Sequence, residues 1–97
     1  MNVVLASPEV AGLIRDRRGR LYVWPDRHAC CGGTVTYLAT GSEPERGRVF
    51  HRLGVEGFDL FLDPGRMRPP DELVLDVRGR RRRKRVEAYW NGCVFAV

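Results

Sequence analysis

LGVEGFDLFLD, residues 53–63, carries an apolar run in which Phe58, Leu60 and Leu62 take every second position and Asp59 and Asp63 take the alternate ones. Side chains of an extended chain alternate between two faces, so this period marks a half-buried strand over 58–62. Gly54 and Gly57 before it, and Asp63-Pro64-Gly65 after it, are turn residues that set its limits. Short β-branched or aromatic runs of the same kind recur at 21–24, 34–40, 49–53, 73–77 and 86–90, with a first apolar segment at 2–5. Turns are expected between them at Trp24-Pro25-Asp26 and at Gly41-Ser42-Glu43-Pro44.

One stretch departs from this period. Ser7-Pro8-Glu9 supplies an N-cap hydroxyl, a proline for the first helical position and an acid near the positive end of the helix dipole. The helix that follows is expected over 8–17, with Val10, Leu13, Ile14 and the stem of Arg17 on one face and Gly19 as its stop. The fold class is therefore α+β, with one N-terminal helix packed on a mostly antiparallel sheet or sandwich of short strands. No internal repeat or linker divides the 97 residues, and the irregular piece 63–71 is too short to separate two domains, so 1–97 reads as one domain.

The start, MNVVLASPEV, has no basic region ahead of its apolar run, and Pro8 and Glu9 end that run early. It reads as neither signal peptide nor anchor, and no apolar stretch reaches bilayer length. Three cysteines without regular spacing do not make a disulfide framework of the secreted kind. A soluble, cytoplasmic protein with free or metal-bound thiols is expected, with no membrane partner.

Two of those thiols stand together in HACCGGT, residues 28–34, and the third is Cys93. Neighbouring side chains on an extended segment point to opposite sides, so Cys30 and Cys31 share one site only across a kink. Gly32 and Gly33 leave the adjacent sulfur uncrowded and open to a metal, sulfide or a partner. Against this stands the ordinary fate of a free cysteine, which is burial as a small apolar side chain. Iron-sulfur clusters usually take four thiolates, so one chain is a poor cage by itself. Two chains related by a two-fold axis would supply four if Cys31 and Cys93 converge, and the same pair with His28 or His51 would suit a single iron or zinc ion.

The net charge of +5 is concentrated in one place. RGRRRRKR, residues 78–85, holds seven basic residues and no acid, and removing those seven from +5 leaves −2 on the rest of the chain. The run lies between two expected strands, as a hairpin turning at Gly79 with solvated arms. Arg80, Arg81, Arg82, Arg83, Lys84 and Arg85 are the candidate contacts for an acidic partner or, less favoured, for nucleic acid, whose phosphates would make binding strongly salt-dependent. Tyr89 and Trp90 follow closely, but the interleaved aromatic pattern of a single-strand binder is missing. There is no phosphate loop, serine elbow or zinc-protease helix, and nothing sets Asp59 and Asp63 around a pocket as acid and base; no enzyme is expected.

The order of these pieces resembles the HesB-like, or A-type carrier, family of iron-sulfur cluster biogenesis. Val3-Val4-Leu5-Ala6-Ser7 is similar to the family's opening strand and cap, Cys31-Gly32-Gly33 to its Gly-Cys-Ser-Gly loop, and Thr36-Tyr37-Leu38 to the strand that follows. Residues 53–63 are similar to its apolar strand leading into a Val-Asp element. Cys30 stands where the family has glycine, Gly32 where it has serine, and a single Gly92-Cys93 replaces its C-terminal Cys-Gly-Cys. The resemblance implies a HesB-like fold and the binding of iron or a cluster for transfer to client or biogenesis proteins. It implies Cys31 as main ligand and Cys93 as its partner, and leaves Cys30 as a further thiol of a double-cysteine variant. A thiol redox or sulfur-handling role is the remaining alternative for the same residues.

Overall fold

The computed structural model describes residues 3–30, 33–65 and 70–90. Its elements run β1 (Val3–Ala6), α1 (Pro8–Asp16), β2 (Arg20–Cys30), β3 (Gly33–Gly41), β4 (His51–Leu53), β5 (Asp59–Leu62), β6 (Glu72–Arg78) and β7 (Arg85–Trp90), with a 3-10 turn at Arg81–Arg83 between the last two. They form two sheets, ordered β1-β6-β7 and β3-β2-β5-β4.

Helix α1 begins as its residues dictate. The Ser7 hydroxyl accepts from the Val10 N–H at 3.3 Å, Pro8 occupies the first turn, and Val10 and Ile14 are buried. It ends at Asp16 with Arg17 as cap, and the Gly19 N–H, in a left-handed conformation, donates to the Ile14 carbonyl at 2.9 Å.

The alternating run settles where expected. Phe58, Leu60 and Leu62 are buried, although the strand itself starts one residue later, at Asp59. Leu60 lies between Leu21 of β2 and Leu53 of β4, and Leu62 beside Val23. From the other sheet Leu73, Leu75, Val86, Ala88 and Trp90 join the same core, which Val10 and Ile14 also enter. Thr40 of β3 donates its hydroxyl to the Val86 carbonyl at 2.7 Å, tying the two sheets together.

Two expectations are corrected and one is made finer. Among the described residues three of the five strand pairs are antiparallel, as expected, but the sheets are mixed, because each contains one parallel pair, β1 with β6 and β2 with β5. The chain passes through other elements before β6 and β5 are laid down, and this return to the starting end is what a parallel neighbour requires. The expected turn at Trp24-Pro25-Asp26 is strand, because β2 continues to Cys30. Val23 gives its carbonyl to the Asp63 N–H on the β5 side. Backbone alternation puts the nitrogen of Pro25 on that side too, beyond the last paired residue of β5, so its missing N–H breaks no ladder bond. The Pro25 carbonyl there accepts instead from Arg48 Nη2 at 2.8 Å. Finally, the strand expected over 49–53 shrinks to His51–Leu53, with Val49 70% exposed.

A second apolar layer covers the outer face of β2. Tyr22 stacks on Phe61 at 4.9 Å, and Phe50 meets the edges of Tyr22 and Trp24 at 5.0 and 6.0 Å. The indole of Trp24 lies over Gly41, where a Cβ would come within 3.3 Å of the ring. Among the described residues no helix is long and apolar enough to cross a membrane.

Leu60 is fully enclosed, so Leu60→Ala should lower unfolding free energy by about 2–5 kcal/mol. Val49→Ala should change it by less than about 0.5 kcal/mol, since the side chain is already in water. Urea denaturation followed by far-ultraviolet circular dichroism measures both.

Candidate functional site

The cysteine pair belongs to the far end of the β2–β3 hairpin. The register runs from Tyr22 opposite Gly41 to Cys30 opposite Gly33, while β5 accompanies β2 only over Arg20 to Val23. Past Val23 the hairpin is thus a two-stranded arm among the described residues. Cys30 is the last residue of β2 and Gly33 the first of β3; Cys31 and Gly32 between them lie outside the described residues. Gly33 is exposed, and a Cβ added there would meet nothing within 4 Å among the described residues. Its backbone takes ordinary strand geometry.

Cys93 also lies outside the described residues, three positions after Trp90, the buried last residue of β7. His28 pairs with Val35 in the arm, whereas His51 opens β4 on the opposite side of the sheet and is exposed. No group of three or more His, Cys, Asp or Glu side chains converges among the described residues.

Part-way along the arm the Tyr37 hydroxyl donates to Asp26 Oδ2 at 3.2 Å across the paired strands. Desolvation, and then the Asp26 carboxylate beside it, push the Tyr37 phenol above its ordinary value. Below the arm, Arg48 ties the 42–50 connection to β2 and β5: its guanidinium pairs with Glu45 and, at 3.6 Å, with Asp63.

The basic run forms the β6–β7 hairpin, turning as expected at Gly79. There φ is +93°, and a Cβ would lie 2.4 Å from the Arg83 carbonyl oxygen, so only glycine fits. Its cations divide into two groups. Arg78 donates to the Tyr89 hydroxyl at 2.9 Å, lies over that ring, and faces Asp76 and Glu87 at 3.9 Å each. Lys84 pairs with Glu9 at 3.7 Å and gives its carbonyl to the Arg17 guanidinium, which docks the loop on α1. Arg80, Arg81, Arg82, Arg83 and Arg85 are exposed and have no ion pair among the described residues. Tyr89 is occupied by Arg78 and Trp90 is 9% exposed, so neither is a free platform for a base.

Sequence reasoning missed the aromatic layer, the Arg48 tie and the docking of the basic loop on α1. One signal for the first was present: in Leu21-Tyr22-Val23-Trp24 both alternating sets are apolar, the mark of a strand covered on both faces.

No protein-family model matches the chain, and no curated protein matches it either. Among solved structures it is similar to SufA of Escherichia coli, a protein involved in the biosynthesis of iron-sulfur clusters. The two share 19% sequence identity and a TM-score of 0.52, over 97% of this chain and 92% of that one. That likeness is one of fold, and it extends over essentially the whole chain.

The raised Tyr37 value carries a pH signature. Its folded-state pKa lies above the unfolded one, so its contribution to stability is fully present below the unfolded value of about 10 and is lost as pH rises through the folded value. Asp26→Asn should bring Tyr37 ionisation back towards the ordinary range. An ultraviolet titration of phenolate in the two proteins measures the difference.

Proposed function

We propose that this chain carries an iron-sulfur cluster, or iron, as a cargo that it binds and hands on, in the manner of the A-type carriers. Cys31 is the main ligand, Cys93 its partner and Cys30 a second thiol. One observation supports this reading above the others. In a fold similar to that of a protein of iron-sulfur cluster biosynthesis, β2 ends at Cys30, the first residue of the doublet in the sequence, opposite an exposed Gly33 at the end of a two-stranded arm. Thiolates at such a place are accessible both to a cluster and to the protein that receives it.

Three cysteines per chain favour a shared site. Cys31 and Cys93 from two copies, related by a two-fold axis, make up the four thiolates a cluster takes. A single iron held by fewer ligands is the lesser form of the same function, and zinc is the competing metal for the same sulfurs. The partners are iron-sulfur biogenesis and client proteins, the compartment is the reducing cytoplasm, and 1–97 acts as one HesB-like domain. The role is binding and delivery, without catalytic turnover.

Anaerobic reconstitution with iron and sulfide tests the reading. Wild type should gain visible charge-transfer absorption and bound iron, and Cys31→Ala and Cys93→Ala should each abolish both. Cys30→Ala should retain part of the signal. A wild-type chain that stays colourless and takes up neither iron nor zinc would overturn the proposal.

A further inference from the structure

Strands β3 and β7 are the facing edges of the two sheets. Among the described residues β3 pairs only with β2 and β7 only with β6, so each has one backbone edge without a hydrogen-bonded strand, and the Thr40–Val86 hydrogen bond bridges the two edges at one point. Between them runs a groove made of two joined cavities. The outer, about 390 Å³, lies between 37–40 of β3 and 85–87 of β7. The inner, about 100 Å³, reaches under the end of α1 to Leu13, Ile14, Arg17 and Leu21. Thr40, Arg85 and Val86 line both.

The groove is electropositive for a specific reason. Its acid, Glu87, faces Arg78, and Arg20 in the inner cavity is matched by Glu43. Among the described residues Arg85 has no ion pair, the guanidinium of Arg17 is engaged only by a carbonyl, and the unpaired Arg80–Arg83 stretch of the loop precedes the mouth. We propose that this groove is the docking site for an extended acidic segment of a partner protein. The segment's main chain follows a sheet edge, and its carboxylates meet Arg85 and Arg17.

Chemistry favours a polypeptide over a nucleic acid. A strand edge offers alternating N–H and C=O groups, and a peptide main chain answers both, whereas a phosphodiester only accepts. The inner cavity has an apolar floor of Leu13, Leu21 and Val86, suited to side-chain methylenes beneath a carboxylate. The aromatic ring that lines the groove, Tyr37, is held through its hydroxyl by Asp26. This inference does not depend on what the cysteines bind.

The test uses the intact chain, without metal, and a fluorescein-labelled peptide of alternating Glu and Val, about six residues long to match a typical strand. Fluorescence anisotropy at low ionic strength should show binding that weakens with added salt. The Arg17→Gln/Arg85→Gln double variant should bind about tenfold more weakly, in keeping with the loss of charge-assisted hydrogen bonds. Arg52→Gln, at a guanidinium paired with Asp59 on β4, should bind as wild type does. Because Arg17 also docks the loop, urea midpoints accompany each variant, and hydrogen exchange on the wild type gives a second readout. Peptide should slow exchange at 37–40 and 85–87. The proposal is overturned if the double variant folds and binds unchanged, if protection appears elsewhere, or if an oligothymidylate of equal charge binds as tightly as the peptide.

Discussion

Strand β2 is covered on both faces along its first half, and the other elements are arranged around that double burial. Leu21 and Val23 point into the core between the sheets, while Tyr22 and Trp24 enter the aromatic layer with Phe50 and Phe61. A slip of one residue would exchange aliphatic and aromatic side chains across the sheet, so register is specified from both sides. With β2 held in this way, β5 has one place to lie, its own Leu60 and Leu62 inward and Phe61 outward. The hairpin partner β3 inherits the same register out to Cys30 and Gly33, so the position of the cysteine end is set by packing at the opposite end of the strand.

How much of this could be read in the chain depends on the range of the interaction. Local signals were sufficient for α1, whose cap, first-turn proline and terminal glycine act within a few residues of one another. They were also sufficient for the inward set Phe58, Leu60 and Leu62. Pro25 was misread because its cost depends on whether a third strand lies beside it, and β5 ends before reaching that point. The parallel pairs and the division into two sheets are likewise properties of the path between strands. The doublet Cys30-Cys31 stands out in the sequence through its glycine border, whereas no local pattern marks the groove. Its residues come from α1, β2, β3 and β7 and share no spacing along the chain.

The basic run shows the same distinction. As sequence it is a block of seven like charges. In the fold Arg78 and Lys84, one on each side of the turn, are taken up by Tyr89 with two acids and by Glu9 with α1, and the charges between them stay in water. Exposed pairs of this kind contribute little to stability, typically about 0–1 kcal/mol each. Their effect here is orientation: Arg78 braces β6 against β7, and Lys84 holds the loop against α1, so that Arg85 enters β7 at the mouth of the groove.

Strand β3 connects the two places for which a function is proposed. It begins at Gly33, beside the cysteine pair, and reaches the groove at Tyr37. At roughly 3.4 Å per residue, those four steps span about 14 Å. A segment lying along that edge would hold its protein close to the end of the arm without covering the thiols. Recognition by charge and main chain would then be separate from chemistry at sulfur. Changes in the arginines would alter which partner is held, and changes in the cysteines would alter what can be passed to it.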